Sequence, residues 1–261
     1  MKSLVVNADD FGFTHDVNHG IIRAHREGIL TATTLMATGR AFDDAVRLAK
    51  DTPTLDIGCH LVLVGDPPFP RTVAQLARAI ALKQLNPYKE LEAQVRRIVD
   101  ARLNPTHLDS HKHTHLLPPV LDAVARLSEE FRIPWVRRPF DFPRTPNEAA
   151  FAKRAVSKAF GIVRGRFMRV LTRRGCSFTD HFAGFQITGN YDAEALSNLI
   201  RALPEGSTEF MCHPGVLGDE LRQARTRLKE SREQELLALT APQVRATLDD
   251  AKVRLVSYRD L

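Results

Sequence analysis

The sequence predicts an α/β fold: a mainly parallel sheet with helical crossovers, contained in a single domain. A chain of 261 residues, 43% of them hydrophobic, is ample for one such domain, and α/β barrels routinely reach this size. Strand-like and helix-like segments alternate from end to end, which is typical of a parallel sheet. Because no internal repeat or low-complexity linker interrupts this alternation, residues 1–261 are expected to form one domain.

The individual elements follow from periodicity and from residues that begin or end them. The first strand starts at Leu4, and Thr14 or Asp16 can cap the helix that follows at 16–27. Pro87 suits the first turn of another helix. Further strands are expected at 31–38, 55–64, 106–111, 135–137, 178–185, 208–213 and 253–258, and further helices at 41–50, 72–84, 87–102, 118–131, 147–174, 192–203, 220–239 and 242–251.

The first strand ends in two adjacent acids, Asp9 and Asp10, and Gly12 then turns the chain. Carboxylates are costly to remove from water, so a buried strand that ends in such a pair indicates a metal, a cation or a reaction that needs them. The alternative is an ordinary strand-to-helix loop in which an Asp caps the helix.

Three further segments place histidines at or just after the ends of predicted strands. These segments are Cys59-His60-Leu61, the run from Thr106 to His115, and Met211-Cys212-His213-Pro214. In a (β/α) barrel the carboxyl ends of the strands form one rim. The histidines are therefore expected to converge there with Asp9 and Asp10.

These side chains favour a site for one divalent metal ion. A catalytic metal typically has three protein ligands plus water, and Asp10, His60 and His111 would supply them. Two histidines and one carboxylate suit Zn²⁺, while Mg²⁺ and other ions remain open.

The run from 107 to 115 carries His or Asp at every second position: His107, Asp109, His111, His113 and His115. On a strand, at least three of them would share one face. Because one ion cannot bind all five, Asp109 is expected to orient a ligand, with His113 and His115 around the ligands or at the substrate. The alternative is a polar strand end whose histidines face water.

Asp9 and His213 are the expected proton-transfer residues. The backbone turns at a strand end, so Asp9 can reach the pocket that holds Asp10 and accept a proton from the water that the metal activates. His213, fixed by the Pro-Gly that follows it, is placed to protonate a leaving group. A lone His before Pro-Gly also occurs as a plain turn residue.

The cysteines and the start of the chain bear on the compartment. Three cysteines, Cys59, Cys176 and Cys212, are an odd number at irregular spacing, which favours free thiols in a reducing compartment. Neither a signal peptide nor an apolar run of membrane-spanning length is expected. The sequence therefore indicates a cytoplasmic protein. Its oligomeric state stays open, with a homodimer among the possibilities.

The net charge of +6 and the pI of about 9.5 allow an anionic partner or a general surface bias. A nucleic-acid-binding protein is the alternative from a different class. Only scattered Lys and Arg, one Trp and few tyrosines support it, and no recognised binding motif accompanies them. No nucleic-acid partner is expected.

The motifs resemble those of the YdjC/ChbG carbohydrate deacetylases, in the same order along nearly the whole chain. They are Asn7-Ala8-Asp9-Asp10-Phe11-Gly12, Gly58-Cys59-His60-Leu61, the run from Thr106 to His115, and Met211-Cys212-His213-Pro214. The resemblance implies a distorted (β/α) barrel related to the NodB-type deacetylases and metal-dependent hydrolysis of N-acetyl groups on amino sugars. It implies Asp10, His60 and His111 as metal ligands, Asp9 as base, His213 as acid, and Arg137 or its neighbour Arg138 as the residue that positions the base.

Within the family, the segments 61–64 and 179–185 most resemble the hopanoid-biosynthesis branch, HpnK. That resemblance implies an N-acetylglucosaminyl hopanoid, a glycolipid, as substrate. The alternative is a soluble chito-oligosaccharide such as chitobiose, which would need the same catalytic residues.

The predicted helix 147–174 is basic, and from Phe151 to Arg174 it contains no acidic residue. Its apolar residues recur at helical spacing. One interpretation is a barrel helix with a buried apolar stripe and solvated charges. The other is a helix that lies at the inner face of an anionic membrane and gives the protein peripheral contact with a lipid substrate.

Overall fold

The protein is described here by a computed structural model that covers residues 1–142 and 164–261. Its centre is an eight-stranded sheet with the order β5-β4-β3-β2-β1-β7-β6, and β8 pairs with β1. All strand pairings in these two ranges are parallel. The strands are β1 Lys2–Phe11, β2 Ala32–Leu35, β3 Asp56–Leu61, β4 His107–Ser110, β5 Trp135–Val136, β6 His181–Ala183, β7 Gly206–Cys212 and β8 Val253–Leu255.

Helices alternate with the strands, as the sequence predicts. They are α1 His15–Glu27, α2 Phe42–Lys50, α3 Val73–Ala81, α4 Pro87–Asp100, α5 Pro118–Phe131, α6 at 164–173, α7 Ala193–Arg201, α8 Asp219–Gln223, α9 Glu230–Thr240 and α10 Pro242–Asp250. The first part of the predicted helix 147–174, up to residue 163, lies outside the described residues. Across the two described ranges, no helix combines the length and the apolar character that a membrane crossing requires.

The sheet forms a half-barrel, so the predicted single α/β domain with mainly parallel strands is confirmed. Isolated parallel bridges connect the two edges: Trp135 of β5 pairs with Ser177, which precedes β6, and Asp141, which follows β5, pairs with Phe182 of β6. From Leu4 to Phe11 every residue of β1 is buried, as expected for a central strand covered on both faces.

Several predicted elements differ in extent from the observed ones. The expected strand at 178–185 is regular only over β6, and the expected helix at 220–239 is interrupted between α8 and α9. The last strand ends at Leu255, and a 3₁₀ turn, Tyr258–Asp260, follows it. Short strands next to loops are the least regular parts of the pattern, because periodicity over three residues carries little information.

The first helix begins at a hydroxyl cap. The Thr14 side chain accepts a hydrogen bond from Val17 N at 3.2 Å, and the Gly28 N–H donates to Ala24 O at 3.1 Å at the other end. Asp16, the other cap considered, accepts instead from Leu221 N at 2.9 Å. It thereby ties α1 to the segment after β7.

The contact between α1 and the segment after β7 depends on two glycines. A Cβ added at Gly20 would lie 2.4 Å from Gly215 Cα, which is backbone and cannot rotate away. We expect Gly20→Ala to lower the free energy of unfolding by about 1–3 kcal/mol, as overpacking does elsewhere. Urea unfolding would measure it. Gly165→Ala is the matched control, since its Cβ would meet nothing within 4 Å. If the two variants unfolded at the same urea concentration, the close contact between Gly20 and Gly215 would be contradicted.

Candidate metal centre and active site

The two acids at the end of β1 share one pocket because the strand is irregular there. The pairing of β1 with β2 shifts register between Ala8 and Phe11, and Asp10 has a positive φ of 69°. Positive φ is uncommon for a residue with a side chain, and Asp tolerates it better than most. Adjacent side chains on a regular strand would point to opposite faces. Here both Asp9 and Asp10 are buried and lie near His60: Asp10 Oδ1 is 3.3 Å from His60 Nε2, and an Asp9 oxygen is within 4.8 Å of a His60 nitrogen.

Three ligand atoms meet at the carboxyl end of the sheet. His60 Nε2 and His111 Nδ1 each lie 3.3 Å from Asp10 Oδ1, and the two nitrogens are 3.3 Å apart. His60 belongs to β3, and His111 directly follows β4. An ion bound tetrahedrally at about 2.0–2.1 Å from each donor requires donor separations of roughly 3.3–3.4 Å. The spacing of these three atoms therefore fits a metal ion.

When His60 Nε2 and His111 Nδ1 both present a lone pair, as metal ligands must, this triangle contains no hydrogen-bond donor. His60 Nδ1 lies 2.7 Å from Asp109 Oδ1 and donates to it, so in a neutral His60 the lone pair is on Nε2 and faces Asp10. Asp10 Oδ1 is buried and accepts no hydrogen bond from the described residues. Three electron-rich atoms in contact without a donor repel one another, and a cation between them removes that repulsion.

The charge around His60 favours a cation as well. Burial lowers the pKa of His60, but Asp109 and Asp10 outweigh burial and raise it to about 10. A pocket that attracts a proton so strongly attracts a divalent ion for the same electrostatic reason. The donor set fits such an ion, and its mixed nitrogen and oxygen character is compatible with Zn²⁺ and with other divalent metals.

Asp9 is held by a buried arginine. Arg137 Nη1 and Nη2 donate to the two Asp9 oxygens at 2.7 and 2.6 Å, and Asn7 Nδ2 donates to Asp9 Oδ1 at 3.1 Å. The same guanidinium contacts Asp109 Oδ2 and Glu209 Oε1, each at 2.6 Å. Such bidentate geometry fixes a carboxylate firmly. Burial raises the pKa of Asp9, but Arg137 outweighs it and holds the pKa below its usual range.

The structure distinguishes the two adjacent arginines. Arg138 turns away from Asp9 and donates to the Asp180 backbone oxygen. Arg137 is therefore the residue that contacts the candidate base.

His213 lies directly after β7, beside Asp9. Its Nε2 is 3.9 Å from Asp9 Oδ2, and its backbone N–H donates to Glu235 Oε2 at 2.5 Å. Burial lowers the pKa of His213, although Glu235 and Asp9 act in the opposite direction. The imidazole is therefore neutral at pH 7 and can take up a proton from a neighbouring acid.

The expected alternation from His107 to His115 is wrong beyond Ser110. Strand β4 ends there, and the 3₁₀ segment His111–Leu116 follows, with positive φ at Lys112 and His113. A turn removes the two-residue period of a strand, so the five residues separate.

The members of this run other than His111 have different neighbours. His107 Nε2 donates to Asn7 Oδ1 at 2.9 Å, and His113 packs beside Phe182 and Phe185. His115 Nε2 donates to Arg137 O at 3.1 Å. Burial lowers the pKa of His115 to about 3, so its ring is neutral and supports the backbone next to the arginine.

Helix α9 supplies two charged groups that the sequence reasoning missed. Arg232 Nη2 donates to Asp10 Oδ2, and Glu235 accepts from His213 N. A signal existed, because Arg232 and Glu235 occupy positions of the apolar face formed with Leu228, Leu236 and Leu239 at helical spacing. Charged residues at such positions are buried only when they have partners.

Cys59 and Cys212 are buried free thiols in the core. The remaining cysteine, Cys176, is also buried and free.

This chain is a parallel half-barrel with an Asp–His cluster at the carboxyl ends of its strands, the edge at which barrel enzymes place their active sites. More narrowly, the chain belongs to the YdjC-like protein family, whose sequence model matches residues 3–250. The family expected from the motifs is thereby confirmed.

Individual relatives are similar over their full length. A "Carbohydrate deacetylase" of Brevibacillus brevis is 34% identical over 99% of both chains. "Carbohydrate deacetylase 2" of Listeria innocua is 34% identical over 99% of this chain and 98% of its own. Among solved structures, a protein of Enterococcus faecalis V583, proposed to act in cellobiose-phosphate cleavage, is 26% identical with a TM-score of 0.75. That match covers 99% of this chain and 98% of the other.

Proposed function

We propose that this protein is a metal-dependent carbohydrate deacetylase that hydrolyses the N-acetyl group of an amino sugar. The observation that carries the proposal is the triangle of Asp10 Oδ1, His60 Nε2 and His111 Nδ1, with 3.3 Å edges, next to the arginine-held Asp9. The carbohydrate deacetylases of similar sequence support the same reaction class.

The ligands would be Asp10, His60 and His111, and the bound ion would supply Lewis acidity that polarises the acyl carbonyl and acidifies water. Asp9 accepts a proton from the attacking water as the oxygen–carbon bond forms. Arg137 keeps the Asp9 oxygens in place for that transfer. His213, 3.9 Å from Asp9, takes up that proton and passes it to the leaving nitrogen as the carbon–nitrogen bond breaks. The products are acetate and the free amino sugar.

The reaction class is tested by incubating the purified, metal-loaded protein with N-acetylated chito-oligosaccharides and N-acetylglucosaminyl glycolipids. Released acetate is measured, and the amine is identified by mass spectrometry. Acetate from either substrate class supports the proposal. No acetate from any of them with Zn²⁺, Mg²⁺ or Mn²⁺ would reject it.

The narrower proposal is that the substrate is a glycolipid, the N-acetylglucosaminyl head group of a hopanoid, as the likeness to the HpnK branch implies. In the described part of α6, Phe167 and Leu171 pack in the core while Arg166, Arg169 and Arg173 are exposed. At these positions the apolar side chains of α6 pack against the core of the protein, so only its basic face could contact a membrane. A soluble substrate is favoured by the E. faecalis relative, which was proposed to act on a phosphorylated disaccharide.

Membrane contact has its own expected result. The protein should co-sediment with anionic vesicles at low salt and dissociate at high salt, because each basic residue near the headgroups contributes about 1 kcal/mol. Changing Arg166, Arg169 and Arg173 to Glu should weaken sedimentation and leave hydrolysis of a soluble analogue unchanged. If the protein does not sediment with anionic vesicles at low salt, the hypothesis of membrane contact is rejected and a soluble substrate is favoured.

A further inference from the structure

Arg232 is a buried arginine with incomplete hydrogen bonding. Its side chain is 1% exposed, Nη2 donates to Asp10 Oδ2, and Nε donates to Leu228 O at 3.3 Å. Nη1 has no hydrogen-bond partner in the two described ranges. Burying a guanidinium with an unmet donor is costly, so stability alone is a poor reason for an arginine here.

The two oxygens of Asp10 face different groups. Oδ1 lies 3.3 Å from both His60 Nε2 and His111 Nδ1, whereas Oδ2 accepts from Arg232. The guanidinium holds Oδ2 on the side away from the histidines and places its positive charge there, which disfavours an ion bound to both oxygens. Without the arginine, the same carboxylate can rotate and bind through both oxygens.

We propose that Arg232 is a positioning residue that restricts Asp10 to metal binding through Oδ1 alone. The inference rests on the metal centre of the proposed function and adds a determinant of its coordination number. Single-oxygen binding suits a small four-coordinate ion, whereas two-oxygen binding suits larger ions that take six or more oxygens.

The position of Arg232 is fixed by the segment that follows the candidate acid. Gly215 N donates to Arg232 O at 3.2 Å, and a Cβ at Gly215 would lie 3.2 Å from Arg232 Cδ. One turn further along α9, Glu235 accepts from the His213 backbone. The guanidinium therefore approaches Asp10 from a helix that is itself anchored to the site.

The test is the affinity of the folded protein for Zn²⁺ alone, measured by competition with a chromophoric chelator. We expect Arg232→Met to bind Zn²⁺ about 10–100-fold more weakly, the usual effect of losing a group that orients a ligand. X-ray absorption of the zinc-loaded variant should show one additional oxygen donor. Arg232→Lys keeps the positive charge but not the planar guanidinium, so its Zn²⁺ affinity should lie between those of the wild type and Arg232→Met.

Arg138→Met is the matched control, because Arg138 is a buried arginine that contacts no candidate ligand. Its Zn²⁺ affinity should stay within about twofold of the wild type, on the order of the scatter between independent sites. An unchanged oxygen donor count in Arg232→Met would overturn the inference, whatever the Zn²⁺ affinity of the variant. If Arg232→Met does not fold, wild-type affinity and donor count in Arg232→Lys would overturn it. Failure of the wild type to bind Zn²⁺ or any other divalent ion would instead reject the metal centre.

Discussion

Asp9→Asn is expected to lower deacetylase turnover by roughly 10²–10⁴-fold, the usual contribution of a general base. Asparagine has the same shape but cannot accept the proton from water. The three candidate ligands Asp10, His60 and His111 are unchanged, so the variant should keep its metal. Acetate release and metal content measured on the same preparation would separate the two effects.

Asp56→Asn provides the control for removing a buried carboxylate. Asp56 is fully buried at the start of β3, where it contacts Thr106 and Arg259 and neither Asp9 nor the ligand triangle. The Asp56→Asn variant should be less stable than the wild type but keep most of its deacetylase turnover. An Asp9→Asn enzyme as active as this control would show that Asp9 is not the base.

His60→Ala is expected to abolish metal binding, and with it activity. His60 provides one of the three ligand atoms of the triangle, and its removal also leaves Asp109 Oδ1 without the His60 N–H that it accepts. A metal ion that binds only the folded state raises the free energy of unfolding by about 2.7 kcal/mol at a hundredfold excess over Kd. The wild type should therefore melt at a higher temperature when Zn²⁺ is added, and His60→Ala should not.

His25→Ala is the matched histidine control, since His25 bonds to Leu30 O and Thr54 outside the site. It should retain the metal and the zinc-dependent rise in melting temperature. Stoichiometric metal in His60→Ala, measured by elemental analysis, would contradict the ligand assignment.

Much of the site could be anticipated because parallel strands end at one edge. Asp10, His60 and His213 lie at or just after the ends of β1, β3 and β7, so predicting those strands also placed their last residues together. Because neighbouring residues of a strand point to opposite faces, Cys59 of β3 packs in the core while His60 reaches the site.

The rest depended on features without a regular period. The 3₁₀ segment after Ser110 contains two residues with positive φ, and no alternation rule predicts where His113 and His115 then point. Arg232 reaches the site from a helix 222 residues away in sequence, through a contact that only the tertiary packing creates. The choice between Arg137 and Arg138 likewise needed the observed direction of each side chain.

The three carboxylates around Arg137 have a consequence for how changes to this protein combine. Arg137 contacts Asp9, which is expected to move protons, and Asp109, which orients His60 in the metal triangle. Substitutions on the two sides of the guanidinium therefore share a partner, and such pairs usually deviate from additivity by about 0.5–3 kcal/mol. Metal preference and proton transfer are therefore epistatic: a substitution that affects one changes the effect of substitutions on the other. We expect laboratory evolution that selects for a new ion also to change the pH profile of the reaction.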